Sequence, residues 1–212
     1  MSATVTRAVF WDFGGVILSS PFDAFNAYEA DRGLPRDFIR SVNATDPDTN
    51  AWALIERREI DADTFDRRFA AESEALGHRV PGKDVLAMLS GSIRREMVEA
   101  LDRVIAAGFV TACLTNNVSS DHARPEVDEI MTRFDHVIES SKVGCRKPEP
   151  AFYELACRTA AVEPHECVFL DDLGINLKPA RAMGMTTIKV LDPDQAIRDL
   201  EAVLGLSLHS HP

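Results

Sequence analysis

The chain has 212 residues, 45% of them hydrophobic and 27% charged. That composition excludes a disordered or fibrous protein and suits one compact core with room for a smaller appended module. The formal net charge of −11 argues against a nucleic-acid partner or an anionic membrane surface, but it leaves room for a locally positive pocket that takes a small anionic ligand.

The first apolar run, Ala8-Val9-Phe10-Trp11, is rich in β-formers and stops at Asp12-Phe13-Gly14-Gly15. It reads as a buried strand ending in a tight turn. Between residues 18 and 90 the character changes. Helix-like stretches at 22–32, 50–58 and 63–76 are separated by Pro, Gly and Asp, with no β-rich run among them. This segment is expected to form a small helical insert, whose large apolar residues Trp52, Phe65 and Phe69 are expected in its core, with facing a ligand pocket as the alternative. From about residue 94 the chain alternates. A helix at 94–107 ends at Gly108, and a strand at 109–114 ends at Thr115. A strand at 136–138, a helix at 151–161 and a strand at 167–170 follow, the last ending at Asp171-Asp172. A helix through 180–183, a strand at 186–190 and a helix at 195–204 complete the pattern. Such alternation predicts right-handed crossovers and a parallel sheet covered on both faces. The expected architecture is therefore a Rossmann-like α/β core of residues 1–17 and 91–212, carrying the helical insert 18–90. The loop 118–126, with His122 and Arg124, is expected to be solvated, and the tail 207–212, with His209 and His211, to be frayed.

No apolar run reaches the ~20 residues of a membrane span, and no basic segment precedes a cleavable apolar stretch. A soluble cytoplasmic protein is expected. Cys113, Cys145, Cys157 and Cys167 form no CxxC pair and are expected to be free thiols of a reducing compartment. The sequence carries no signal of oligomeric state.

In an open parallel sheet the ligand site lies at the carboxyl ends of the strands. Four distant strand-end regions supply polar groups there: Asp12, Thr115 with Asn116, Lys147, and Asp171 with Asp172. Each alone has a structural explanation: a turn aspartate, a helix N-cap, a loop lysine, a second N-cap. All four in this order, at one edge, point to a single site.

These residues resemble the four motifs of the haloacid dehalogenase (HAD) superfamily: Asp12-Phe-Gly-Gly-Val, Leu-Thr115-Asn-Asn, Lys147-Pro-Glu-Pro and Phe-Leu-Asp171-Asp172. The likeness is strongest over residues 139–207. It is similar there to the N-terminal phosphatase domain of soluble epoxide hydrolases and to the HAD domain fused to some acyl-CoA dehydrogenases. The resemblance implies a Mg²⁺-dependent phosphatase acting on a small phosphorylated substrate, with Asp12 as covalent nucleophile. It further implies that Asp12, the Gly14 carbonyl and Asp172 bind Mg²⁺, with Asp171 acting through a water. Thr115 Oγ and the Asn116 N–H would hold phosphoryl oxygens, and Lys147 would neutralise charge. By position, the insert matches the cap that closes HAD active sites.

One departure stands out. Where most phosphatases of this superfamily carry a second Asp, two residues after the nucleophile, this chain has Gly14. A general acid–base contributes ~10²–10⁴-fold, so its absence weakens hydrolysis without excluding it. Two alternatives remain: a catalytically weak protein that binds a phosphorylated metabolite or a partner, and a haloacid dehalogenase. The Asp171-Asp172 pair speaks against the dehalogenase, which has no dianionic group to neutralise and no use for three crowded carboxylates.

Overall fold

The computed structural model describes residues 5–118 and 124–208. Strand β1 (Ala8–Trp11) is followed by five helices: α1 (Phe22–Arg32), α2 (Phe38–Ala44), α3 (Ala51–Glu56), α4 (Ala62–Ala75) and α5 (Gly82–Ala87). Then come α6 (Arg95–Ala106), β2 (Val110–Thr115), α7 (Pro125–Met131), β3 (His136–Glu139), α8 (Ser140–Val143) and α9 (Pro150–Ala160). The chain closes with β4 (Cys167–Asp171), α10 (Gly174–Ala182), β5 (Thr186–Lys189) and α11 (Pro193–Leu204). The strands form one parallel sheet in the order β3-β2-β1-β4-β5, the α/β architecture expected from the alternation.

The central strands are apolar on both sides because both faces are covered. Val9, Trp11, Cys113, Val168 and Leu170 pack with Leu101 of α6 and Leu200 of α11. On the opposite face Phe10, Leu114 and Phe169 pack with Phe152 and Tyr153 of α9 and Leu177 of α10. Every residue of β1 has lost all solvent contact, and each large side chain so buried stabilises the fold by ~1.5–3 kcal/mol. The strand order reverses at β1, flanked by β2 and β4. A crevice therefore opens at the carboxyl ends of these three strands.

Helices α1–α5 build a separate apolar core around Phe25, Ile39, Ile55, Phe65, Phe69 and Val85. Phe65 and Phe69 are fully buried, and the half-buried Trp52 stacks edge-on against Phe65 at 5.7 Å. The chain leaves for these helices and returns from them side by side. Leu18 bridges Ile93 antiparallel, and the Ser19 N–H donates to the Ser92 carbonyl at 2.8 Å. A Cβ on Gly91 would fall 2.4 Å from the Ser19 oxygen, so this crossing needs a glycine.

The differences from expectation have local causes. Helices α2 and α5 are only 7 and 6 residues long, too short for a helical period to show. Helix α10 begins at Gly174 with Pro179 inside it. The proline rule hid its first half. Arg124, expected in solvent, donates from Nη2 to the Gly91 carbonyl at 2.8 Å. The expected fraying does not reach Leu208, which is buried, with its N–H bonded to Glu201 and its carbonyl to Arg103. His122, His209 and His211 lie outside the described residues. The four cysteines are free. Among the described residues, no helix is long and apolar enough to cross a membrane.

Candidate active site

Strand register assembles the site. Trp11 pairs with Cys113 on one side and Leu170 on the other. Asp12 thus comes level with Leu114 and Asp171, with Thr115 one step beyond. Asp12 prolongs the ladder by donating its N–H to the Leu170 carbonyl at 2.8 Å, and its Oδ1 accepts the Phe13 N–H at 2.7 Å. The turn that follows needs one particular glycine. Gly15 has φ +83°, and a Cβ there would sit 2.3 Å from the Asp172 carboxylate. Gly14 is exposed, has no left-handed backbone, and a Cβ on it would meet nothing within 4 Å. Backbone geometry therefore demands the second glycine of the pair and not the first.

Lys147 is buried to 1% exposure, and its Nζ lies 2.8 Å from both Asp12 Oδ1 and Asp171 Oδ2. Asp171 is fully buried and also accepts the Leu173 N–H at 2.8 Å and the Asn176 amide at 3.0 and 3.1 Å. Asp172 is half-buried beside Gly15. Asp12, Asp171 and Asp172 each offer a carboxylate oxygen, all within 4.8 Å of one another.

Burial pushes the Asp12 carboxyl well above the usual range; Lys147 opposes the shift, and Asp171 and Asp172 add to it. Burial, followed by repulsion from Asp171, pushes Asp172 up to about 6. Burial also disfavours charge on Lys147, yet Asp12 and Asp171 outweigh it and hold the ammonium above its ordinary pKa. Three carboxylates thus face one ammonium in a largely dehydrated crevice. Hard oxygen donors with surplus negative charge suit a hard divalent cation such as Mg²⁺.

Thr115 closes β2 and is buried. Asn116 lies against Lys147. Its Oδ1 accepts the Lys147 N–H and its Nδ2 donates to the Lys147 carbonyl, both at 2.9 Å. The structure thus gathers Asp12, Thr115, Asn116, Lys147, Asp171 and Asp172 at one sheet edge, with Gly14 in the adjoining turn. It adds residues that sequence reasoning missed. Asn176 stands five residues after Asp171, a spacing visible once α10 is known to begin at Gly174. Glu56 and Arg146 form a buried ion pair at 2.5 Å, and Glu56 Oε2 also accepts Asn116 Nδ2 at 3.2 Å. Sixty residues separate Glu56 from Asn116, and no local pattern signals that contact.

Comparison with known proteins follows the same lines. A family model described as haloacid dehalogenase-like hydrolase matches residues 6–184. Acyl-CoA dehydrogenase family member 10 of Mus musculus is 34% identical over 96% of this chain and 20% of its own length. Bifunctional epoxide hydrolase 2 of Mus musculus is 34% identical over 97% of this chain and 40% of its own. The chain therefore spans between 20% and 40% of the length of these curated relatives. Sesquiterpene phosphatase astK of Aspergillus oryzae is 24% identical over 95% of this chain and 98% of its own. A HAD family enzyme of Bacteroides thetaiotaomicron, solved with magnesium and inorganic phosphate, is 19% identical. It shares the fold with TM-score 0.57 over 87% of this chain and 93% of its own.

Proposed function

The chain belongs to the haloacid dehalogenase-like hydrolase family, and from that premise we propose that it is a Mg²⁺-dependent phosphomonoesterase working through an aspartyl-phosphate on Asp12. The observation that carries this reading is the charge count at the sheet edge: among the described residues, Asp12, Asp171 and Asp172 lie against the ammonium of Lys147. Two of the proteins it resembles add support, a phosphatase by name and an enzyme solved with magnesium and phosphate.

A phosphate monoester dianion repels a carboxylate, so Asp12 can attack phosphorus only where that repulsion is neutralised. Lys147 supplies one positive charge and holds Asp12 Oδ1 in place. Asp12, the Gly14 carbonyl and Asp172 would hold Mg²⁺, with Asp171 reaching it through a water. Both Asp171 oxygens already accept protein hydrogen bonds, in keeping with an indirect part. The bound ion would supply charge neutralisation and orientation of the phosphoryl group. Thr115 Oγ and the Asn116 N–H would hold phosphoryl oxygens. Asp12 displaces the leaving alcohol, and water then cleaves the acyl phosphate and restores the carboxylate. Residues 18–90 act as a cap over the core of residues 1–17 and 91–212, excluding water and selecting the substrate.

No carboxyl group follows at Gly14, so the leaving oxygen must take its proton from water or from the substrate. Rates should depend steeply on leaving-group pKa. The deciding experiment measures initial rates on a series of aryl and alkyl phosphate monoesters, with Mg²⁺ and with EDTA. Turnover with Mg²⁺ that EDTA abolishes and that favours aryl esters is expected. Absence of turnover across the series, or turnover indifferent to EDTA, would overturn the reading.

A further inference from the structure

The charged groups on helices α1–α5 lie largely in solvent, and Glu56, at the end of α3, is an exception. It is 5% exposed, and its carboxylate reaches across to the sheet-bearing core, to Arg146 Nε at 2.5 Å and Asn116 Nδ2 at 3.2 Å, both on Oε2. Further bonds tie the same stretch of chain to the segment that carries Lys147. Arg146 Nη1 donates to the Pro47 carbonyl at 3.0 Å, and Arg57 pairs with Glu149 at 3.5 Å.

Asn116 is the joint of this arrangement. Its amide is used in full: Oδ1 takes the Lys147 N–H, one Nδ2 hydrogen goes to the Lys147 carbonyl and the other to Glu56. A flipped amide would set Oδ1 against the Glu56 carboxylate and an N–H against the Lys147 N–H, so it would lose every bond at once. The Glu56 carboxylate therefore reinforces the one orientation that grips the Lys147 backbone. Lys147 Nζ in turn spans Asp12 and Asp171 at 2.8 Å each. A continuous hydrogen-bonded path runs from helix α3 to Asp12.

We propose that Glu56 is a positioning residue for Lys147, acting through Asn116, so that the site is complete only when the α3 end of the helical insert is docked on the core. This inference rests on the reading of Lys147 as the working lysine. Glu56 is tied into an ion pair with Arg146 and does not take the place of the proton donor missing at Gly14.

The test reads the Lys147 backbone directly, by amide hydrogen exchange of the full chain in NMR, alongside kcat on p-nitrophenyl phosphate with Mg²⁺. Glu56→Ala should speed exchange of the Lys147 amide by about 10-fold or more and lower kcat by about 10- to 100-fold, the cost of a displaced catalytic group. Glu56→Gln keeps an oxygen at the Oε2 position and should retain the protection and most of the activity. Glu56→Asp withdraws the acceptor by one methylene and keeps the charge near Arg146. It should show the exchange defect even if the alanine variant does not fold. Unchanged Lys147 exchange in the alanine or aspartate variant would overturn the proposal. So would a glutamine variant as impaired as alanine, since charge alone would then matter. The exchange arm decides with or without turnover, so failure of the phosphatase reading is seen separately, as a wild type inactive on the aryl ester.

Discussion

The helical insert and the sheet edge both bury polar side chains, but to opposite ends. In the insert, Glu29 accepts the N–H groups of Asp37 and Ile39 at 2.7 and 2.9 Å, Asn50 caps α3 through the Ala53 N–H at 2.9 Å, and Ser73 takes the Val80 N–H at 2.9 Å. These groups satisfy backbone left open by short helices and loops, and their needs are met within the insert. At the sheet edge, Asp12, Lys147, Asp171 and Asp172 face one another, and their charges do not cancel. A fold tolerates such an imbalance where a ligand is meant to settle it. The difference separates buried polarity that serves the fold from buried polarity that serves chemistry.

The strongest way to break this comparison is Asp12→Asn. The amide keeps the shape but is a poor nucleophile and metal ligand. Turnover should fall by more than about 10²-fold, while circular dichroism and melting temperature stay near wild type. Residual turnover above that level would remove Asp12 from the nucleophile's role.

The two neighbouring aspartates should then part company. Asp171→Ala strips Lys147 of one partner and leaves Asn176 and Leu173 without their acceptor, so it should destabilise by about 3 kcal/mol or more in denaturant titration. Asp172→Ala should cost little stability and instead raise the Mg²⁺ concentration needed for activity. If both variants shift only the metal requirement, the sheet-edge charges carry no structural share.

A third test exploits pH. The folded-state pKa of Asp172, about 6, lies above its ordinary 3.8, so the folded protein binds this proton more tightly than the unfolded chain does. The matching stability is fully present below about pH 4 and is lost as pH rises through 6. Relative to Asp172→Asn, the metal-free wild type should lose at most about 3 kcal/mol over that window, and saturating Mg²⁺ should reverse the loss. Parallel melting curves for the two proteins from pH 4 to 7 would contradict the crowding of charge at the edge.

The smallest effect belongs to the insert. Asn50→Ala removes an N-cap and should cost about 1–2 kcal/mol in stability, with kcat unchanged at a temperature where both proteins are folded. A fall in kcat there would show that the cap of α3, and not Glu56 alone among the insert's buried polar groups, bears on the chemistry.

Much of this protein is written locally. The strand at Ala8–Trp11, the alternation from about residue 94 and the breaks at Asp12, Thr115 and Asp171 follow from periodicity and from residues that stop an element. They were enough to predict the α/β fold and to bring six site residues to one edge. Local signals failed where the cause lies elsewhere in the chain. Gly14 and Gly15 are indistinguishable as letters. Only the packing of Asp172 against the turn shows that Gly15 alone has no room for a Cβ. Asn116 was legible as a strand-end residue, but its grip on the Lys147 backbone spans 31 residues and its bond to Glu56 spans 60. Secondary structure depends on neighbours a few positions apart, which a sequence displays. A buried hydrogen-bond network depends on which distant side chains are desolvated together, and that is decided only when the helical insert meets the sheet.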